Sequence, residues 1–460
     1  MLQKKNTQAL ELRANREQLD LFTNESIVLE RSNPIVEFAV LTGAKVFPFK
    51  IPTTPHNLKR IGFHKQNTGT PTVLNGTLNN GGNIIQEGVL QIHNVDDKEI
   101  KLSLVQQINK SLTEFPQVLS TLLTGTTTKP TTPSVTPLSS DLFCYPKINN
   151  PGYFGSNSYS GTVNNHNGTT YNLTSPLVPC FFIKKLFDSI SLQTGIAFTG
   201  TFFSNSSLDK LILVNLRDVR SSTNIMHSDH VPDMTISQFI KELAIALNLV
   251  VFAGSKSIKI DLADPYFISP GNKIWFDPKY VIKESIVNNR LVLTHTPTDA
   301  FTKDINDYTT YLSTIAQPNE NFELKTSFST VDVDAGVARI DAKGVSDVNN
   351  QLSEKNTFKL AFYDNGTAQH TLGTRSLKLV KSGVSLPNSF YGNFERHIAN
   401  TFEINVQLPI KPHQAAMLDF HENGGQNMSL FIRDHHYVIT KQRIDIKREI
   451  GDFKLQKLTI

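Results

Sequence analysis

Cysteine is nearly missing from this chain: Cys144 and Cys180 are the two in 460 residues. Without Cys-x-x-Cys spacing they define neither a zinc site nor a disulfide framework, and only a single bridge between them stays open. Tryptophan occurs once and charged residues make up 19%. With threonine, serine and asparagine conspicuous, that balance suits a β-dominated chain with many turns better than a helical bundle. A net charge of +4 with no dense Lys/Arg stripe gives no nucleic-acid signal. No run approaches the ~18 apolar residues of a membrane span. The opening MLQKKNTQALELRANREQ lacks the ~7–15-residue apolar core of a signal peptide, so the expectation is a soluble chain made in the cytoplasm that leaves the cell by lysis or assembly.

The catalytic handles are missing too. There is no Gly-x-Ser-x-Gly elbow, no Gly-x-x-x-x-Gly-Lys-Ser/Thr loop and no His-Glu-x-x-His helix. His227-Ser228-Asp229-His230 needs a helix and a third ligand to hold zinc, and reads as a solvated turn. His435 and His436 open a strand and point to opposite faces. Asp332 and Asp334 alternate with Val331 and Val333, which places both on one solvated strand face. A glycosidase pair of carboxylates stays open in any chain of this size, but no residue emerges as catalytic, cofactor-binding or metal-ligating. No cofactor is implied.

What the chain does have is phenylalanine, 29 residues against 11 tyrosines, and length enough for two to four domains, since single cores stop growing near ~250–300 residues. Alternation predicts strands from the start. Leu12 and Ala14 point one way, Glu11, Arg13 and Asn15 the other, and Leu19 and Leu21 continue after Asn15-Arg16-Glu17 as a hairpin. Ser26 to Arg31 repeats the pattern through Ile27 and Leu29, an Asn33-Pro34 break follows, and Phe47 to Pro52 runs into a capped helical turn. TGTPTVLNGTLNNGG, 68–82, reads as a long connection. Gly88 to His93 and Glu99 to Val105 flank an Asn/Asp turn, giving an antiparallel sheet of at least five strands.

Leu112, Phe115, Val118, Leu119 and Leu122 have helical spacing over 111–123, with Pro116 in a first turn or breaking it. From Thr121 to Cys180 only Lys129, Asp141 and Lys147 are charged, so this is expected to be a long surface excursion docked by Tyr153, Phe154, Tyr159 and Tyr171, on its own domain or on a partner. Cys180 to Thr194 carries an apolar helix face closed by Gly195, and a strand is predicted over Ile196 to Phe203. Thr235-Ile236-Ser237-Gln238 is a capping box opening a helix, and Leu249–Ala253 with Ser257–Leu262 forms a hairpin. From about Asn319 the pattern returns to strands, with turns at Asp364-Asn365-Gly366 and Glu422 to Gly425. The last strands run to the end of the chain, as in a sheet that contains its own terminus.

Three blocks carry a family resemblance: Arg31-Ser32-Asn33-Pro34, then Phe47-Pro48-Phe49-Lys50-Ile51-Pro52, then Asn57 to Phe63. Together they resemble the N-terminal signature of tail structural proteins from phages and prophages of Bacteroidetes, of the baseplate hub or tail-tip family. Thr194 to Phe203 with Leu208 to Arg217 is similar to that family's Gly-aromatic-x-x-Gly-x-Phe strand, although Ile196 and Ala197 separate the glycine from Phe198. Met234 to Leu262 looks like its helix and hairpin.

The resemblance implies a β-rich α+β fold with two tube-like antiparallel β-barrels around an α+β insertion. The expected divisions are 1–110 (first barrel), 111–180 (helix and polar loop), 181–290 (α+β module) and 291–460 (region with the second barrel). It further implies a non-enzymatic virion protein, a homotrimer placing six barrels in a ring that continues the tail tube. Its expected neighbours are the tail tube or distal tail protein, a central spike or fibre and the tape-measure protein, with DNA passing through the lumen without specific binding. Leu19 to Arg31 and Phe402 to Ile444 are then the expected ring-forming strands, with Phe47, Pro48 and Phe49 packing the first barrel. Assembly would take place in the host bacterial cytoplasm, and the product would sit in the virion tail. The competing class is a carbohydrate-binding or adhesive tail-fibre protein that meets a glycan through the tyrosine-bearing loop.

Overall fold

Leu12, Ala14 and Leu19 are buried on one face of β1 (Leu10–Ala14) and β2 (Glu17–Leu19), which pair as the alternation requires. Asn15 and Arg16 between them both take positive φ, the primed turn whose twist matches a hairpin. In the computed structural model of the protein the residues described are 10–36, 45–62, 74–106, 118–137, 141–151, 160–172, 174–254, 257–268, 274–275, 281–295, 310–315, 317–340, 345–346, 358–380, 382–420 and 429–458. β3 (Val28–Ser32), β4 (Lys45–Pro52) and α1 (Pro55–Ile61) follow. Thr54 accepts from the Asn57 N–H at the helix start, and Gly62, at φ 86°, closes its end in the left-handed conformation.

The supposed connection 68–82 is partly a strand. β5 (Leu74–Asn80) turns at Gly81-Gly82 into β6 (Asn83–Val95), which pairs with β7 (Glu99–Val105); residues 63–73 lie outside the described set. Leu74, Gly76, Leu78 and Asn80 alternate inward. The alternation is hidden because a glycine and an asparagine hold two of the four inward positions. Gly76 is there for space, since a Cβ would come 2.6 Å from Leu90 Cγ and 2.8 Å from Leu104 Cδ1.

In the middle of the chain β8 (Cys180–Phe182) leads into α2 (Ile183–Thr194), whose Ile183, Leu186, Phe187 and Ile190 are buried, and Gly195 ends it at φ 70°. The strand expected over 196–203 covers only Ala197–Thr199. At Gly200, φ 113°, a Cβ would lie 2.2 Å from the Ile260 carbonyl oxygen, and the chain bends there into a helical turn whose Thr201 N–H donates to Asp261 Oδ1 at 2.7 Å. β9 (Leu211–Val214) is buried at every position. α3 (Ile236–Leu247) has the Thr235/Gln238 capping box in both directions, and β10 (Leu249–Ala253) pairs with β11 (Ser257–Leu262). β9 is sandwiched between β8 and β13 (Lys359–Asp364), and Asn365-Gly366 makes the expected tight turn after it.

Of the helix expected over 111–123, residues 111–117 lie outside the described set, and Leu119–Leu122 is a single helical turn. The described part of the 121–180 excursion packs on its own chain. Asn164, fully buried, donates to the Pro146 and Val178 carbonyls and accepts from the Val178 N–H. Tyr171 is buried and donates to the Tyr145 carbonyl at 2.7 Å. Tyr153, Phe154 and Tyr159 lie outside the described residues.

Cys144 and Cys180 face each other across an antiparallel pair, both free and buried. Burial pushes the Cys180 thiol up to about 12 and Cys144 up as well, and it is the thiolate that reacts. Neither cysteine is therefore expected to be alkylated by iodoacetamide at pH 7.5 in the native protein. Both should be modified in denaturant; mass spectrometry distinguishes the states.

The His227–His230 turn is not solvated as expected. His230 is fully buried beside Asn215, its Nδ1 at 3.1 Å from the Oδ1, and His227 reaches Thr127 Oγ1 at 2.8 Å with its ring edge-on to Phe181. The polar letters hid this, because Phe143 and Phe181 supply the apolar wall from elsewhere in the chain. Burial holds His230 and His295 down at about 3, and His397 at about 4. An unfolded chain takes up these protons near pH 6.5, whereas the folded one stays neutral until far lower. Stability fully present above pH 6.5 is thus lost as the pH falls toward the folded values, at about 1.4 kcal/mol per pH unit for each such histidine. Thermal melts at pH 7, 6 and 5 should show the Tm dropping; a flat profile contradicts this.

The remaining elements are β12 (Val281–Val287), α4 (Gly392–Asn400), β14 (Thr401–Pro409), α5 (Pro412–Met417), β15 (Ser429–Ile432), β16 (His435–Asp445) and β17 (Ile450–Lys457). Helix α4 lies where the sequence suggested only strands. Phe394 and Ile398 are its buried stripe, continued by Phe390 in the turn before it and obscured by Gly392, Asn393 and Asn400. One large sheet runs β2-β1-β5-β6-β7-β4-β3-β16-β17-β14-β12, with β15 paired to β16. The fold is β-rich α+β: antiparallel strands from the two ends of the chain, curved into a half-barrel at the first of them, with the α+β elements between.

Candidate functional site: the seam between the two ends of the chain

β3 and β16 pair antiparallel from Val28 opposite Asp445 to Ser32 opposite Lys441, so strands from opposite ends of the chain are hydrogen-bonded into one sheet. The Arg-x-Asn-Pro block sits on this seam. Asn33, fully buried, donates from its backbone N–H to the Thr440 carbonyl and from Nδ2 to the Ile439 carbonyl at 2.7 Å, while its Oδ1 accepts from the Ile35 N–H. β16 slips register against β17 between Ile439 and Lys441. Asn33 therefore serves carbonyls at a bulge, where the ladder alone leaves groups unpaired. Asn33→Ala keeps the backbone bond to Thr440 but strands the Ile439 carbonyl and the Ile35 N–H, and should lower stability by about 1–3 kcal/mol in urea titration.

Arg31 is 2% exposed and points into the half-barrel. Its Nη1 donates to the Ala415 carbonyl of α5 at 2.7 Å, and its Nη2 to the Ile85 carbonyl of β6 at 2.6 Å and to Asp419 Oδ2 at 3.1 Å. Gln106 Nε2 also donates to the Asp419 carboxylate. In a flat sheet β3 and β6 would stand three strand spacings apart, about 14 Å. One guanidinium can bridge them only because the sheet curls. The arginine thus holds three separate pieces of chain together: the curled N-terminal wall, α5 lying in its mouth, and the Asp419 carboxylate just beyond that helix.

The Phe-Pro-Phe block divides its three residues. Phe49 is 1% exposed and in the core, as expected, but Pro48 is exposed and Phe47 lies half-buried with the Arg443 guanidinium 5.1 Å above its ring. A slip of the β4–β7 pairing between Val46 and Phe49 is the reason. Proline cannot donate to a ladder, so a bulge absorbs it and turns Phe47 outward.

The outer face is polar and balanced. Across the seam runs the row Lys45, Glu30, Arg443, Asp452, Gln407, each opposite the next. Lys441 pairs with Glu30 at 3.1 Å, Lys454 with Glu403 at 3.0 Å, and Gln407 donates to Asp452 at 2.9 Å. Opposite charges at facing positions stabilise each pair by about 0.2–1 kcal/mol and leave little net field.

The free edges are not where they were expected. Val28–Ser32 and His435–Asp445 pair with each other and lie inside the sheet, so neither offers an edge. The path ends instead at β2 and β12, with a side branch from β16 through β15 to Ile274–Trp275. The β2 edge is covered by α1, with His56 Nε2 2.9 Å from the Gln18 carbonyl and Arg60 paired to Glu17. β12 is paired only to β14 among the described residues, and there Ile286, 66% exposed, stands opposite Phe402, 39% exposed.

No family model matches this chain, and no curated protein does. Among solved structures, similar chains include the 43 kDa tail protein of prophage MuSo2 from Shewanella oneidensis, at 8% identity over 97% of each chain and a TM-score of 0.38. The tail protein from Neisseria meningitidis MC58 gives 8% identity over 97% of this chain and 96% of that one, with a TM-score of 0.38. Prophage tail protein gp18 from Listeria monocytogenes EGD-e gives 8% over 97% and 94%, with a TM-score of 0.40. Among the described residues no helix is long and apolar enough to cross a membrane.

Proposed function

We propose that this chain is a non-enzymatic structural protein of a phage or prophage tail, a baseplate hub or tail-tip subunit that assembles, as a trimer, into a ring continuing the tail tube. The observation that carries this is the seam. The Arg-x-Asn-Pro block that resembles the tail-protein signature is where the two ends of the chain are spliced into one sheet, and that sheet has one core face, one polar face of paired charges and, at β12, an edge uncovered among the described residues. A balanced polar face suits the wall of a channel through which DNA must slide without sticking, because affinity for phosphate comes from unneutralised Lys and Arg. An edge strand with exposed Ile286 and Phe402 beside it is a place for a neighbouring subunit to continue the sheet. The partners that fit are the tail tube or distal tail protein on one side, a spike or fibre on the other, and the tape-measure protein in the lumen. Assembly would precede host lysis, in the bacterial cytoplasm. The adhesive alternative gains nothing from Tyr171, which is buried against its own chain.

Light scattering and negative-stain images test the proposal. The expected result is a trimeric ring with a central hole, and Ile286→Lys should leave the melting temperature unchanged while giving monomers. A wild-type protein that stays monomeric at all concentrations and binds glycans overturns it.

A further inference from the structure

A cleft of about 1080 Å³ opens in the α+β middle of the chain, and none of the elements lining it is a strand of the composite sheet. Its apolar wall includes Phe203, Leu372, Val135 and the edge of Tyr363, whose hydroxyl is already spent on the Val135 carbonyl. Four cations line it: Lys184, Lys185, Lys210 and Arg375. The three lysines are neutralised within the chain. Lys184 donates to Asp209 Oδ1 at 2.5 Å and to the Phe203 and Asn205 carbonyls, Lys185 reaches Asp188 at 3.1 Å, and Lys210 lies 3.5 Å from Asp364.

Arg375 differs. No carboxylate lies within ion-pair distance of it among the described residues, and its guanidinium is seated 5.2 Å from the centre of the Phe390 ring. Burial alone lowers its pKa, with no acidic group acting the other way. The hairpin that presents it, Thr371–Leu372 with Arg375–Ser376, is fixed from below by the Ser376 N–H donating to Ser389 Oγ at 2.9 Å and the Leu377 N–H donating to the His370 carbonyl. The cleft therefore holds one uncompensated, preoriented fork of donors beside an apolar wall.

We propose that this cleft binds an acidic peptide segment, one carboxylate seated on Arg375 and the adjoining apolar side chain against Phe203 and Leu372. A guanidinium meets a carboxylate through two parallel N–H···O bonds. A single uncompensated positive charge selects a single negative one, so a polyanion such as DNA gains little there. The volume lies just above the about 300–1,000 Å³ of small-molecule sites, enough for a few residues of extended chain. This inference is independent of ring assembly and stands or falls without it.

The test uses the full chain and two probes, the fluorescein-labelled tripeptide Phe-Asp-Leu and its Phe-Asn-Leu counterpart, both blocked at the C-terminus, with glucuronate as the sugar-borne carboxylate. Fluorescence anisotropy should show the Asp peptide binding at least tenfold more tightly than the Asn peptide. Arg375→Gln should abolish that preference, and Thr374→Trp, at an exposed turn position, should block both peptides with an unchanged melting temperature. Equal binding of the two peptides, no binding at millimolar peptide, or an Asp preference that survives Arg375→Gln overturns the proposal, as does saturable glucuronate binding with none by the peptides.

Discussion

Arg31→Met should cost about 3–5 kcal/mol of folding stability, because it leaves the Asp419 carboxylate buried without its cation. The replacement fills the same space but donates to nothing. The Ile85 and Ala415 carbonyls lose their partner together with the carboxylate. Asp419→Leu on its own should be severe for the same reason, since it takes the Asp419 carboxylate away from a guanidinium 2% exposed. Combined, the two substitutions should cost clearly less than the sum of the single losses, by 1 kcal/mol or more, since neither charge then remains alone. Urea titrations of the wild type and the three variants form the cycle. Additive losses would mean that the arginine acts through its carbonyl contacts, not through the ion pair.

Gly88→Ala is expected to be as damaging by a different route. Gly76 and Gly88 stand directly opposite each other in β5 and β6, where the sheet must bend. At Gly76 a Cβ meets the ends of two leucine side chains, which can rotate, and the cost should be the usual about 1–3 kcal/mol of overpacking. At Gly88 it would lie 2.1 Å from the Val105 carbonyl oxygen and 2.6 Å from its carbon, which are backbone and paired to β6. Nothing there yields except the ladder itself. Gly88→Ala should therefore lose more than Gly76→Ala, above about 3 kcal/mol, and fall largely into the insoluble fraction. Equal stability of the two variants would show that the β6–β7 pair slides freely.

Much of the local structure was legible, because alternation and capping are written in neighbouring residues. Thr235 with Gln238, Gly195, Asn15-Arg16 and Asn365-Gly366 do in space what their types require. The failures have physical reasons. β5 reads as a connection in the sequence because Gly76 and Asn80 occupy inward positions, the first for lack of room and the second buried beside the Ile446 carbonyl. Helix α4 leaves no clear helical pattern in the sequence because Gly392, Asn393 and Asn400 disguise an apolar stripe. The His227–His230 turn looked solvated because its wall comes from Phe143 and Phe181. The candidate site was legible only as a motif. Arg31-Ser32-Asn33-Pro34 stood out, but period and propensity say nothing about a partner strand near the other end of the chain, nor that β3 would be interior and β12 the edge. Arg375 carried no signal, since an arginine in a short polar hairpin looks like any solvated cation.

The hydrogen bond from Asn33 to Ile439 spans 406 positions. At about 5–20 residues per second of synthesis, β3 must wait on the order of 20–80 s after emerging from the ribosome before its partner exists. During that interval the edge that β16 will occupy is bare, and Arg31 has neither Ala415 nor Asp419 to bind. Such distant pairing is intrinsically slow and exposes the nascent chain to aggregation. Fragments ending before Ile439 should therefore emerge as chaperone clients, because the β3–β16 pairing can form only once β16 has been translated. The seam thus makes folding depend on chain length: a chain cut short of β16 leaves β3 without its partner and Arg31 without Asp419.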